Sequence, residues 1–335
     1  MSSVQDFVRD ESTYDITIIG GGPTGLFAAF YCGMRGASCK IIDSLPELGG
    51  QLAELYPEKY IYDVGGFPRI LARDLIENLK QQAFQYNPSV RLNEKVIGLT
   101  RNDDNVFELT TDKGLHLSRA IIICAGIGVF TPRELPAKGV ENFAGKGIDY
   151  YIDDLKKYRG KRALVVGGGD SAVDFALMLE GVASEVTLIH RRDQFRAHEE
   201  SVTRLKASTV RTMTFFELES VSGAEQLEEA VVMNNKTKET VTLKVDAIIS
   251  GLGFSASLGP MTEWGLEIVD NEIVVNTKME TNIPGVYAAG DIVTYPGKIK
   301  LIATGFGEAP TAVNNAKTYL DPNAKLSPGH SSSRK

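Results

Sequence analysis

The chain has 335 residues, of which 43% are hydrophobic and 24% charged, with a formal net charge of −7 and three cysteines. That length exceeds the roughly 250–300 residues at which a single hydrophobic core stops growing, so two domains are expected, with ample apolar material for both. The acidic balance excludes the basic stripe that a nucleic-acid surface requires. The longest apolar runs are of strand length and no charged-then-apolar leader opens the sequence, so the reading is a cytoplasmic protein with no membrane partner.

The organising stretch comes early. Residues 15–19 read as an apolar strand that runs into Gly20, Gly22 and Gly25 and then into a helix, with Pro23 at the helix start, where its missing N–H costs nothing. In this pattern Gly20 makes the tight turn, Gly22 lets the backbone approach a pyrophosphate and Gly25 allows close packing of helix on strand. Asp43 ends the next strand, 18 positions past Gly25, where a carboxylate accepts hydrogen bonds from a ribose diol. Glycine turns between strands and helices are common for structural reasons alone; strand, helix, second strand and terminal acid together point to a dinucleotide.

Residues 48–68 hold too much Gly, Pro and Tyr for a regular element. A segment of this length is either a binding loop or a surface loop whose tyrosines pack locally. Residues 73–86 read as an amphipathic helix, and residues 90–119 as a small antiparallel β region with a turn at Asp112, Lys113 and Gly114. A buried strand at 120–124 then ends in Gly126 and Gly128. Cys32, Cys39 and Cys124 form neither a C-x-x-C pair nor a metal-ligand spacing, so each is expected as a small buried hydrophobe and no metal site is expected.

The pattern then repeats. A strand at 162–166 leads to Gly167, Gly169, Asp170, Ser171 and Ala172 in the same spacing, with Ala at the third position, and a helix follows. His190 stands 18 positions past Ala172, as Asp43 stands past Gly25, but it is followed by Arg191, Arg192 and Arg196. A carboxylate would repel a 2′-phosphate, whereas an arginine fork pairs with it, so the second site is read as NADP(H). The bland alternative is a solvated basic turn. Asp291 ends a later strand as Asp43 does, and a further helix opens near residue 304. This segment is too short for a third domain and is expected to complete the first. The fold class is therefore α/β, with two Rossmann-like, three-layer ββα domains: residues 1–128 plus 253–320, residues 129–252 inserted between them, and a Pro- and Ser-rich extension at 321–335 whose composition suggests disorder.

These motifs resemble the two-dinucleotide flavoproteins of the thioredoxin reductase-like fold, through Gly290-Asp291-Ile292 and the string His190-Arg-Arg-Asp-Gln-Phe-Arg196. The redox C-x-x-C of thioredoxin reductase is missing, so disulfide reduction has no visible nucleophile. Gly-Gly-Gln-Leu near residue 50, with the Leu-Tyr-Pro-Glu-Lys-Tyr that follows, and the stretch from Tyr295 to Ala316 resemble instead the ferredoxin (flavodoxin)–NADP reductases found in bacilli and green sulfur bacteria, and the similarity spans essentially the whole chain. The resemblance implies FAD in the first domain, although Asp43 alone would suit NAD equally. It implies FAD contacts from Gly20, Gly22, Pro23, Thr24, Gly25, Asp43, Gly50, Gln51, Val96, Phe130 and Asp291, with Tyr56 stacked on one flavin face. His330 of the extension would stack on the other face with Ser331 and Ser332 nearby, in a homodimer. NADPH would be held by Gly167, Gly169, Asp170, Ser171, His190, Arg191, Arg192 and Arg196.

The activity implied is electron transfer between NADPH and ferredoxin or flavodoxin: hydride to flavin N5, then single electrons to the partner, with no side chain required as general base. Lys59, Arg69, Arg73, Arg334 and Lys335 are candidates for a docking patch, or else ordinary solvated surface. The glycines at 126–128 and 251–253 are candidate hinges. A general NADPH diaphorase or a reductase of another small redox protein shares every binding motif; a non-catalytic redox sensor is the reading from a different class.

Overall fold

The computed structural model describes residues 8–329. The chain divides into two compact units, one made of the chain up to Glu54, Tyr60–Val129 and the chain from Ala256 onward, the other of Leu55–Lys59 and Phe130–Ser255.

In the first unit the strand Val8–Ile19 lies between Cys39–Ile42 and Gly114–Ile123, parallel to both. Ser89–Arg91 adds in parallel outside Cys39–Ile42, and Val286–Ala288 pairs in parallel with residues 121–123. Chain from beyond residue 253 thus supplies a strand to the sheet that opened the fold. From the earlier half of Gly114–Ile123 the sheet continues antiparallel into Phe107–Thr111 and Val96–Arg101. Residues 16, 18, 41 and 120–123 are fully or almost fully buried, as expected of parallel strands covered on both faces. The helix Pro23–Met34 packs against Ile302–Leu320, with the Phe27 and Phe306 rings 5.1 Å apart.

One charged side chain lies inside this sheet. Lys40 is completely buried, and its ammonium donates to Asp10 Oδ2 at 2.7 Å and to His116 Nδ1 at 3.0 Å. His116 Nε2 donates in turn to Glu94 Oε1 at 2.6 Å, which also accepts from the Thr111 hydroxyl at 2.7 Å. Burial of an ion is tolerated where each polar atom finds a partner, and these bonds tie a parallel strand to the antiparallel region.

Several boundaries differ from those read from the sequence. The first strand begins at Val8 rather than near 15, because a register shift between Asp10 and Thr13 lets the polar lead keep pairing with residues 114–117. The expected helix at 73–86 is Ala72–Ala83 followed by a 3₁₀ turn at Phe84–Tyr86, stopped by Asn87 in the left-handed region at φ 48°. The long loop is not structureless: it holds a short helix, Gln51–Glu54, and a hairpin pairing Tyr60–Ile61 with Ile70–Leu71. Its residues 55–59 belong to the second unit, where Lys59 Nζ meets Asp174 Oδ2 at 2.6 Å. The extension is ordered at its start, since Arg35 donates to the carbonyls of Lys325 and Leu326 at 2.7 and 3.1 Å.

The second unit repeats the plan. Its parallel sheet runs in the order Ile148–Asp149, Ala247–Ser250, Arg162–Val166, Glu185–His190, Arg211–Thr214. Alternate residues face two cores. Leu164, Val166, Ile189 and Ile248 pack with Leu218, Val221, Ala230 and Val232 of an antiparallel three-stranded sheet, Phe216–Ser222, Glu229–Asn234 and Thr240–Lys244. Ala163, Val165, Leu188 and Ile249 pack instead with Phe175, Ala176 and Leu179 of the helix Asp170–Glu180 and with Leu205 of Glu199–Ala207. Both units are Rossmann-like, in an α/β fold. Among the described residues, no helix is long and apolar enough to cross a membrane.

Candidate functional site

Each unit carries a glycine loop at the carboxyl ends of its parallel strands, where open α/β sheets bind ligands. In the first, Gly20 has φ +102° and lies against the Cys124 carbonyl, so a Cβ there would collide with backbone. A Cβ at Gly25 would run into the Gly20 carbonyl, which shows how tightly the helix sits on the turn. That helix starts at Pro23 from Gly22, a cap with no side chain, so its first N–H groups face outward with the positive end of the helix dipole. Gly50, with φ +57°, approaches Gly22 so closely that a Cβ on it would stand 3.1 Å from the Gly22 Cα. Together they leave a cradle of bare backbone.

Asp43 is buried beside this cradle. Oδ2 accepts the Gly21 N–H at 2.6 Å and Oδ1 the Leu45 N–H at 2.9 Å. Desolvation raises its pKa above the usual carboxylate value, against the pull of these bonds. Thr24 fits between Gly290 and Gly305, and the Gln51 amide reaches Gly126. Val96 is buried in the core. Asp291 is half-buried, and desolvation raises its pKa while Lys298 and Lys300 pull it down.

Beneath Asp291 lies a cluster that sequence reasoning missed. Glu308 Oε2 accepts the Gly290 N–H at 2.7 Å, and Oε1 accepts from the Tyr295 hydroxyl at 2.6 Å and the Lys298 ammonium at 2.5 Å. The signal existed: Gly305, Glu308, Ala309, Ala312, Val313 and Ala316 form one helical stripe, and a lone glutamate on it marks a buried partner.

Tyr56 lies in the second unit. Its hydroxyl is 3.4 Å from Ser171 Oγ, and its ring is stacked with that of Phe175 at 6.4 Å. Of the basic residues considered for docking, Lys59 pairs with Asp174, Arg73 lies 3.8 Å from Asp74, and Arg69 sits over the Tyr60 ring. The side chain of Phe130 is outside the described set, as are His330, Ser331, Ser332, Arg334 and Lys335 altogether.

The second glycine loop opens a cavity of about 1310 Å³. It is lined by Gly167, Gly168, Gly169, Asp170 and Ser171, by His190, Arg191 and Arg196, and by Phe216, Met233 and Gly251. Ala172, the third position of the fingerprint, is buried against Gly167 and Gly251. Asp170 Oδ1 accepts the His198 N–H at 2.9 Å, so it holds the following loop as well as opening the helix. Arg196 donates its N–H to the Gly168 carbonyl at 2.7 Å. Arg191 and Arg196 line the cavity with exposed side chains; Arg192, also exposed, is not part of the lining.

His190 has a different setting from its arginine neighbours. Its ring is buried, packs directly on Gly168, stacks with Phe195 at 5.2 Å and donates from Nε2 to the Gln194 carbonyl at 3.1 Å. Desolvation, with the nearby arginines adding, lowers its pKa although the Gln194 bond opposes this. A neutral imidazole thus supports the glycine loop.

A family model described as pyridine nucleotide-disulphide oxidoreductase matches residues 14–316. A ferredoxin–NADP reductase of Halalkalibacterium halodurans is 60% identical over 97% of this chain and 99% of its own length. A protein named ferredoxin–NADP reductase 2, from Bacillus cytotoxicus, is 57% identical over 97% of this chain and 99% of its own. Among solved structures, the thioredoxin reductase of T. acidophilum superposes with a TM-score of 0.81 at 25% identity, covering 94% of this chain and all of that one.

Proposed function

The chain belongs to the pyridine nucleotide-disulphide oxidoreductase family, and from that premise we propose that it is an FAD-dependent ferredoxin–NADP reductase, carrying electrons between NADPH and ferredoxin or flavodoxin in the cytoplasm. The observation that carries the reading is the pairing of two glycine loops whose neighbouring strands end differently: a buried carboxylate at Asp43 in one, exposed Arg191 and Arg196 in the other. The first cradle fits FAD. Gly22 and Gly50 offer backbone to a pyrophosphate, Asp43 offers carboxylate oxygens to a ribose diol, and Gln51 and Asp291, in the same unit, would meet the rest of the cofactor. FAD, when bound, supplies the ability to take two electrons as hydride and to give them up singly. The protein's share is binding, orientation and electrostatics.

Arg191 and Arg196 would pair with the 2′-phosphate, with the pyrophosphate against Gly167 to Gly169 and the helix start at Asp170. The cysteines argue for an electron-carrier partner. All three are buried in the first unit, and desolvation raises the thiol pKa values of Cys32 and Cys124, so no ready thiolate exists for disulfide exchange. A homodimer is part of the proposal.

The test is NADPH-driven reduction of cytochrome c with and without ferredoxin. A large, ferredoxin-dependent rate that falls with salt supports the reading. A rate that ferredoxin leaves unchanged would make the protein a general diaphorase.

A further inference from the structure

The loop that carries Arg191 is held from outside its own strand–helix unit. Its later part is tied to the fingerprint region through the Arg196 N–H on the Gly168 carbonyl, at 2.7 Å, and through the bond from His190 Nε2 to the Gln194 carbonyl, at 3.1 Å. Arg191 itself is held from the antiparallel sheet, where the Asn235 side-chain amide donates to the Arg191 carbonyl at 2.9 Å.

Asn235 is a rigid donor. Its own N–H goes to the Phe215 carbonyl at 2.8 Å. The preceding Asn234 closes the turn by accepting, on its side-chain oxygen, the N–H groups of Lys236 at 2.9 Å and Thr237 at 3.1 Å. Phe215, which provides the anchoring carbonyl, has φ +66°, in the left-handed region that bulky residues avoid. Lys236 Nζ sits 3.4 Å from the centre of its ring, and the next residue, Phe216, lines the cavity. A strained aromatic and a side-chain-capped turn thus hold the residue whose amide meets the Arg191 carbonyl.

We infer that Asn235 is a positioning residue for 2′-phosphate recognition: it fixes the backbone from which Arg191 reaches its ligand, and so sets the preference for NADPH over NADH. The inference rests on the reading of the second unit as the NADP(H) site. Bidentate pairing with a phosphate tolerates only small displacements of the guanidinium, whereas NADH presents nothing at this point for Arg191 to grip.

The experiment uses the full-length holoenzyme with Asn235→Ala and Asn235→Gln, after flavin content and thermal melting have been matched to the native protein. Loss of one such hydrogen bond corresponds to about a three- to ten-fold change in equilibrium. Asn235→Ala should therefore raise KM for NADPH by that factor with kcat nearly unchanged, leave KM for NADH as it was, and weaken binding of 2′,5′-ADP but not of 5′-AMP. Asn235→Gln, which keeps an amide donor, should recover part of the loss. Equal effects on NADPH and NADH, or an unchanged preference, would overturn the inference. Native protein that binds 2′,5′-ADP no better than 5′-AMP would instead overturn the assignment of the NADP(H) site itself.

Discussion

Asp43 takes the N–H groups of Gly21 and Leu45 on separate oxygens, which leaves its outward lone pairs for a diol. Removing it deletes charged hydrogen bonds worth about 1.5–3 kcal/mol each. Asp43→Ala should therefore weaken FAD retention by ten-fold or more, read by fluorescence titration of the flavin-free protein, and undiminished affinity would count against the ribose role. Because desolvation raises this carboxyl's pKa, FAD affinity should decline on acidification at a higher pH than an ordinary carboxylate would give. His190 gives a pH dependence of stability rather than of binding. Its folded-state pKa is lowered, so below about 6.5 the unfolded chain binds the extra proton and the folded chain resists it. The stability this group contributes is present above that pH and lost as the pH falls through it. Thermal melts between pH 7.5 and 5.5 should show a decline that Asn or Gln at 190 flattens; an equally steep decline in His190→Gln would refute the buried neutral imidazole. The equal spacing of Asp43 and His190 was legible in the sequence because it reflects backbone register. The inward turn of the His190 ring was not, because it depends on Gly168 lacking a Cβ and on Phe195 stacking from across a loop.

At the scale of elements, the helix Ile302–Leu320 does more than close the first unit. Through Glu308 it holds the Gly290 amide, and with it the turn that presents Asp291. Glu308 and Lys298 are both about 95% buried, a pair whose disruption leaves an uncompensated charge. Glu308→Gln should cost about 3–5 kcal/mol in denaturant unfolding. A loss below 1 kcal/mol would mean the pair is not desolvated as described. The parallel strands, both glycine loops and the helices that follow them could be read from periodicity and spacing, since those features are local. The loop at residues 48–71 could not be resolved in the same way. Tyr56 is placed by Ser171 and Phe175, and Lys59 by Asp174, all more than a hundred positions away, and no local pattern encodes such partners.

At the scale of the molecule, one architecture occurs twice with one decisive difference in charge, a carboxylate beside the first glycine loop and arginines beside the second. That repeat was visible in the sequence as matching fingerprints. The buried Lys40–His116–Glu94 chain and the Asn235 contact were not, because each joins segments that only the folded sheets bring together. The most direct test of the account follows NADPH oxidation anaerobically with oxidised ferredoxin and, in parallel, with oxidised thioredoxin at the same concentrations. The account predicts rapid, saturable reduction of ferredoxin and none of thioredoxin above background. Reduction of thioredoxin at a comparable or greater rate would contradict it, since three buried cysteines provide no route for disulfide exchange.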